Sequence, residues 1–216
     1  RAALLSGRNH HAMHFGSIAE AHSGWPGYDA QWPKAAASVA EVLRQNGYST
    51  AAFGKWHLTP DDQQGPAGPF DRWPNALGFD YFWGFLGGET GQYDPVLVEN
   101  NRIIGVPTQK GFYFPDAMAQ RTVEWIRDQK AQAPDKPFFA YFATGASHAP
   151  HHVPKEWRDK YKGKFDAGWD KYREETFERQ KKLGVIPENA KLTPRPAALA
   201  AWDSLPPEEK KLYIKQ

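Results

Sequence analysis

The chain has 216 residues, a net charge of +2, 40% hydrophobic and 14% aromatic residues, and no cysteine. That length supports one sizeable core, and the aromatic content excludes a disordered chain. The interspersed charge offers no basic face for nucleic acid or an anionic membrane, no apolar run reaches the ~20 residues of a membrane span, and the lack of cysteine excludes disulfides and thiolate metal sites within this stretch.

Residues 1–8 have the composition of one or two helical turns closed by Gly7. A chain opening on Arg1 inside a helix is expected to be an internal stretch of a longer protein. Residues 9–25 read as a polar loop carrying His10, His11, His14 and His22. Their irregular spacing, with no evident acidic partner, argues for solvated or packed histidines over a metal site. Residues 33–46 are expected to be helical, with Pro33 in the first turn, an apolar stripe of Val39, Val42 and Leu43, and Gly47 as the cap.

Residues 50–53 then read as a short apolar strand, stopped by Gly54, that delivers Lys55 and His57 just past its end. Alternate residues of an extended chain point the same way, so Lys55 and His57 should share a side while Trp56 faces away. An ammonium beside an imidazole suits an anion undergoing proton transfer, and ligands of open α/β sheets sit at the carboxyl ends of strands. Residues 59–95 show no strong period and many Gly, Pro, Asp and aromatic residues. They read as a long functional loop whose aromatics pack onto their own domain more readily than they line a pocket.

Residues 96–106 predict a β-hairpin around Asn100 and Asn101. A helix is expected over 116–132, with Met118, Val123, Trp125 and Ile126 available for burial and Pro134 and Pro137 beyond it. The continuous apolar run 138–143 fits a central strand covered on both faces, followed at once by Gly145, Ala146, Ser147 and His148. From Val153 the chain turns polar. Residues 157–163, 169–182 and 207–215 read as surface helices whose charge runs are solvated. The alternation of helix and strand gives an α/β class with a mostly parallel central sheet, flanking helices and long loops.

Two expected strands thus end at the same edge of one sheet, which can bring Lys55, His57 and His148 together. A lysine neutralises an oxyanion, one histidine takes a nucleophile's proton, and another protonates a leaving group. A histidine after a strand is more often an ordinary loop residue, so the residues alone leave the chemistry open.

The wording of three segments is more specific. Arg1-Ala-Ala-Leu-Leu-Ser-Gly-Arg closely resembles the second half of the sulfatase signature, in which Cys or Ser, any residue, Pro, any residue and Arg precede Ala-x-Leu-Leu-Thr/Ser-Gly. Gly54-Lys55-Trp56-His57-Leu58 is similar to that family's Gly-Lys-Trp-His segment. Phe138-Phe139-Ala140-Tyr141 leading to His148-Ala149-Pro150 resembles its third block, and the run from Lys160 to Gly168 resembles bacterial arylsulfatases in particular.

The resemblance implies a partial alkaline-phosphatase/sulfatase-like fold, with residues 1–216 forming a single, incomplete catalytic domain. That domain would lack the N-terminal formylglycine and metal segment and the C-terminal metal segment. The resemblance also implies hydrolysis of a small-molecule sulfate ester, of the aryl kind by the likeness to arylsulfatases. The nucleophile would be a formylglycine, made from Cys or Ser by a formylglycine-generating or sulfatase-maturing enzyme, and the metal Ca2+ or Mg2+. Carried over by position, Arg1 would contact the formylglycine hydroxyl and offset charge near the metal. Lys55 would bind a sulfate oxygen, and His57 would hydrogen-bond the formylglycine and take the proton that lets sulfate leave. His148 would contact the bridging oxygen and help protonate the leaving group. The formylglycine position falls four residues before Arg1, and the metal-ligand blocks have no equivalent here; Asp61, Asp62 and Asp71 sit in the wrong place to serve. The chain on its own is therefore expected not to turn over. A phosphonate or phosphate monoester hydrolase of the same superfamily, and a non-catalytic anion-binding relative, are the alternatives.

Overall fold

The computed structural model describes residues 1–215 and divides into two compact units, Arg1–His152 and Val153–Gln216. The first unit opens with helix α1, Ala2–Ser6, closed by Gly7 at φ 66°, whose N–H returns to the Ala3 carbonyl. Helix α2, Val39–Gln45, is shorter than the sequence predicts. Ser38 stays extended and its hydroxyl accepts the Glu41 N–H at 3.0 Å, so the helix starts there and Pro33 lies outside it. The expected stripe is also displaced. Within the helix Ala40 is buried and Leu43 half-buried, with Ala36 buried just before it, whereas Val39 and Val42 are exposed. A face of small residues carries little hydrophobic weight in a sequence, yet it lets a helix sit close to its neighbours.

Strand β1, Ser49–Lys55, runs through Gly54 instead of stopping at it. Gly54 adopts φ +97°, and a Cβ there would stand 2.1 Å from the Ala143 carbonyl oxygen and 2.6 Å from Met118 Sδ. Glycine is required because a neighbouring strand and a helix both close onto this point. The stretch read as a single long loop contains strand β2, Tyr81–Phe85, which pairs in parallel with β1. Strands β3, Leu97–Glu99, and β4, Arg102–Gly105, form the expected hairpin, antiparallel to each other, with β3 also antiparallel to β2.

Helix α3, Phe114–Gln132, buries Phe114, Met118 and Thr122, while Val123 is exposed. Strand β5, Phe138–Ala143, pairs in parallel with the other side of β1. The sheet order is β4-β3-β2-β1-β5, so β2 is the middle strand, β1 lies between it and β5, and β5 lies at an edge, with Phe142 exposed. This corrects the expectation of a central β5. Burial follows position in the sheet: β1 and β2, each with a strand on both sides, are buried over most of their length, β1 with mainly small and β2 with mainly aromatic side chains.

The sheet is covered on both faces. On one, Trp56, Trp73, Phe79 and Phe82 pack with Ala2 and Leu5 of α1 and Ala40 of α2. On the other, Phe53, Trp83 and Phe85 pack with Phe114 and Met118 of α3. The aromatics of residues 59–95 therefore mostly fill the core, and each fully buried large side chain contributes about 1.5–3 kcal/mol. Thr50 sets the approach of β2: its hydroxyl donates to the Gly78 carbonyl at 2.7 Å, and its N–H donates to Asp80 Oδ2 at 3.1 Å.

The second unit holds α4, Lys155–Asp159, α5, Gly168–Lys182, and α6, Pro207–Lys215, close to the expected surface helices. Its buried centre is Trp202, which meets Trp169 edge-on at 4.9 Å. Asp170 accepts the Trp202 N–H at 2.9 Å and pairs with Arg195 at 3.1 Å. No helix among the described residues is long and apolar enough to cross a membrane.

Candidate functional site

β1, β2 and β5 are parallel, so the segments leaving their carboxyl ends emerge at one edge of the sheet. Lys55 ends β1 and His57 follows it; residues 86–89 follow β2; His148 follows β5. Beyond Lys55 the backbone keeps bonding to the continuation of β2. Trp56 N–H donates to the Phe85 carbonyl at 3.0 Å, and His57 N–H to the Leu86 carbonyl at 2.8 Å. Trp56 turns into the core as expected. His57 adopts φ 60°, so simple strand alternation does not carry past Lys55. Glu20 bonds His57 and acts on Lys55 only through its charge.

Arg1 reaches the same edge. Its Nη1 donates to the Lys55 carbonyl at 3.1 Å and to the Tyr141 hydroxyl on β5 at 2.8 Å. Burial lowers the pKa of the Lys55 ammonium and the neighbouring Arg1 lowers it further, against the opposing pull of Glu20 and Glu89. Two cations held near each other with partial desolvation leave positive charge incompletely balanced at this edge.

The histidines are tied down by the same two carboxylates. His57 Nε2 lies 2.7 Å from Glu20 Oε2, and Gly88 N–H donates to Glu20 Oε1 at 3.1 Å. Burial acts to raise the Glu20 pKa, but the His57 hydrogen bond and charge, helped by backbone hydrogen bonds at Glu20 and Gly88, hold it below the usual carboxyl value. An ionised carboxylate only accepts, so the proton of this bond sits on His57 Nε2. His148 Nδ1 donates to the Ala149 carbonyl at 2.9 Å and stands 3.3 Å from Glu89 Oε2. The structure therefore joins Arg1 to the Lys55 backbone, pairs His57 with Glu20 and His148 with Glu89, and places both carboxylates within electrostatic reach of Lys55. Glu20 and Glu89 are the members that sequence reasoning missed. Each pairs with a histidine far away in the chain, and no local motif marks either one.

Beside this edge lies a cleft of about 250 Å³, walled by Phe85, Leu86, Val96, Val98 and Ile103, with Gln64, Glu89 and Thr90 at its margin. Three histidines of the histidine-rich loop bond to protein groups. His14 Nδ1 pairs with Asp29 at 2.8 Å, an acidic partner the sequence did not reveal, while His11 meets the Tyr28 hydroxyl at 3.1 Å and His22 the Ala19 carbonyl at 2.8 Å.

Among the described residues, no cluster of three or more histidine or acidic side chains converges to hold a metal ion. Asp61 is bonded by Gln64 at 2.9 Å, and Glu20 and Glu89 are engaged with histidines. A hard divalent cation takes six or more oxygen ligands, and these residues do not supply such a set.

Fold and edge together define an α/β protein that gathers cations and histidines at the carboxyl ends of parallel strands. The sulfatase family model matches residues 1–205, and the chain belongs to that family. It is 32% identical over its full length to an uncharacterized sulfatase of Schizosaccharomyces pombe, spanning 41% of that protein. It is 28% identical, again over its full length, to an arylsulfatase of Klebsiella aerogenes, spanning 46% of it. The crystal structure of Ps i-CgsB in complex with k-i-k-neocarrahexaose matches with a TM-score of 0.58 and 27% identity, over 74% of this chain and 37% of that one. The chain thus spans less than half the length of each of these relatives.

Proposed function

We propose that the protein carrying this chain hydrolyses sulfate esters, and that this chain supplies the cationic and proton-transferring wall of the active site. The convergence of Arg1, Lys55, His57 and His148 at one sheet edge, within a chain of the sulfatase family, carries this reading. Lys55 binds a sulfate oxygen, and Arg1 offsets negative charge beside it. His57, with its proton on Nε2, takes up a proton through Nδ1. His148, with Nδ1 bonded to the Ala149 carbonyl, uses Nε2 to protonate the departing oxygen. General acid–base steps of this kind each contribute ~10²–10⁴-fold. A formylglycine nucleophile and a Ca2+ or Mg2+ ion belong to the proposal and would be held by residues outside this chain, so the chain alone is inactive.

The organic half of the ester is proposed to be aryl, because the adjoining cleft is walled by Phe85, Leu86, Val96, Val98 and Ile103. The neocarrahexaose bound to Ps i-CgsB makes a saccharide the competing substrate. The test compares kcat/KM of the full-length protein on an aryl sulfate, an aryl phosphate, a phosphonate ester and a sulfated saccharide. The proposal expects the aryl sulfate to lead. Faster turnover of the phosphorus esters would overturn the reaction class, and a leading saccharide would overturn only the aryl assignment.

A further inference from the structure

We infer that Glu20 is a positioning residue for His57, fixing its tautomer and ring orientation so that Nδ1 is left with the lone pair that accepts a proton. The inference rests on the acid–base role proposed for His57 and adds a residue to it. Glu20 lies in the short 3₁₀ turn Ala19–Ala21, thirty-seven residues before His57. Its carboxylate is itself held in place: Oε1 accepts the Gly88 N–H at 3.1 Å while Oε2 receives His57 Nε2 at 2.7 Å. The His57 main chain is clamped separately, by its N–H to the Leu86 carbonyl at 2.8 Å. Backbone and ring are thus fixed from two sides, and only Nδ1 is left for chemistry. A carboxylate behind an imidazole selects one tautomer and stabilises the imidazolium once formed.

Gly88 keeps this arrangement open. A Cβ at that position would stand 2.7 Å from Glu20 Oε1 and 2.9 Å from both His57 Cε1 and Nε2. A methyl group there displaces the two side chains whose contact is at issue, without requiring a forbidden backbone.

The experiment uses the full-length protein with Glu20→Gln, Glu20→Ala and Gly88→Ala. It measures aryl sulfate turnover and, separately, the ¹⁵N shifts of the His57 ring, which report which nitrogen carries the proton. The wild type should show Nε2–H. Glu20→Ala and Gly88→Ala should shift the ring toward mixed tautomers and lower kcat by about 10–100-fold with KM little changed, Glu20→Gln falling between. An unchanged ring spectrum with kcat within twofold of wild type would overturn the inference. So would a loss of kcat accompanied by unfolding and no change of tautomer, since that is a structural role. A wild type that shows the Nε2–H tautomer but hydrolyses no sulfate ester would sink the proposed function and leave the positioning contact standing.

Discussion

Lys55 carries the main electrostatic consequence of the site. Burial and the adjacent Arg1 disfavour its charged form, so it loses its proton at a lower pH than an ordinary lysine, whose pKa is ~10.4. An uncharged Lys55 binds a sulfate oxygen poorly. KM for an aryl sulfate should therefore rise as pH climbs through the lowered pKa, before the usual lysine range is reached. Lys55→Arg keeps its charge throughout and should erase that alkaline rise even if it lowers kcat. A KM that stays flat to the ordinary lysine range in the wild type would remove Lys55 from the anion contact. At this scale the sequence was legible where chemistry is written locally. Lys55, His57 and His148 sit next to strand ends and could be named from their neighbours, and Arg1 from the block it opens. Glu20 and Glu89 could not, because a carboxylate paired across the fold carries no period and no adjacent motif.

Among the elements, the close approach of β1 to β5 and α3 depends on one missing side chain. A Cβ at Gly54 meets the Ala143 carbonyl and Met118 Sδ and must also accept φ +97°. Gly54→Ala should cost about 2–4 kcal/mol, read as a lower denaturant midpoint, with the β5 end and His148 displaced. An unchanged midpoint would mean that the strands are not packed this tightly. The elements that were readable are those with an uninterrupted apolar run or a clean turn: β1, β5, the β3–β4 hairpin and α3. β2 escaped because its Tyr-Phe-Trp-Gly-Phe run lies among Pro, Gly and Asp residues that read as one continuous loop. The buried side of α2 escapes the pattern because it is alanine, and the apolar run of β5 suggests a central strand although β5 lies at an edge. In this sheet the interior strands are the aromatic β2 and the small-residue β1, so apolar character alone does not rank coverage.

For the molecule as a whole, the parallel arrangement of β1, β2 and β5 does the assembling, since it delivers three separate loops to one edge without any sequence proximity between them. Arg1 joins that edge by bonding β1 and β5 together through the Lys55 carbonyl and the Tyr141 hydroxyl. The polar second unit contains none of these residues and is held around Trp202 by its own Trp169, Asp170 and Arg195 contacts. The α/β class and the change of character near Val153 were both visible in the order of apolar and polar stretches. The pairing order of the sheet was not, because it depends on contacts between segments. The most direct measurement is kcat/KM on one aryl sulfate for the full-length protein and its Lys55→Ala, His57→Ala and His148→Ala variants, each checked for an unchanged unfolding midpoint. Each folded variant should fall by at least about tenfold. Wild-type kinetics in all three would contradict the assignment of this edge as the site of sulfate ester hydrolysis.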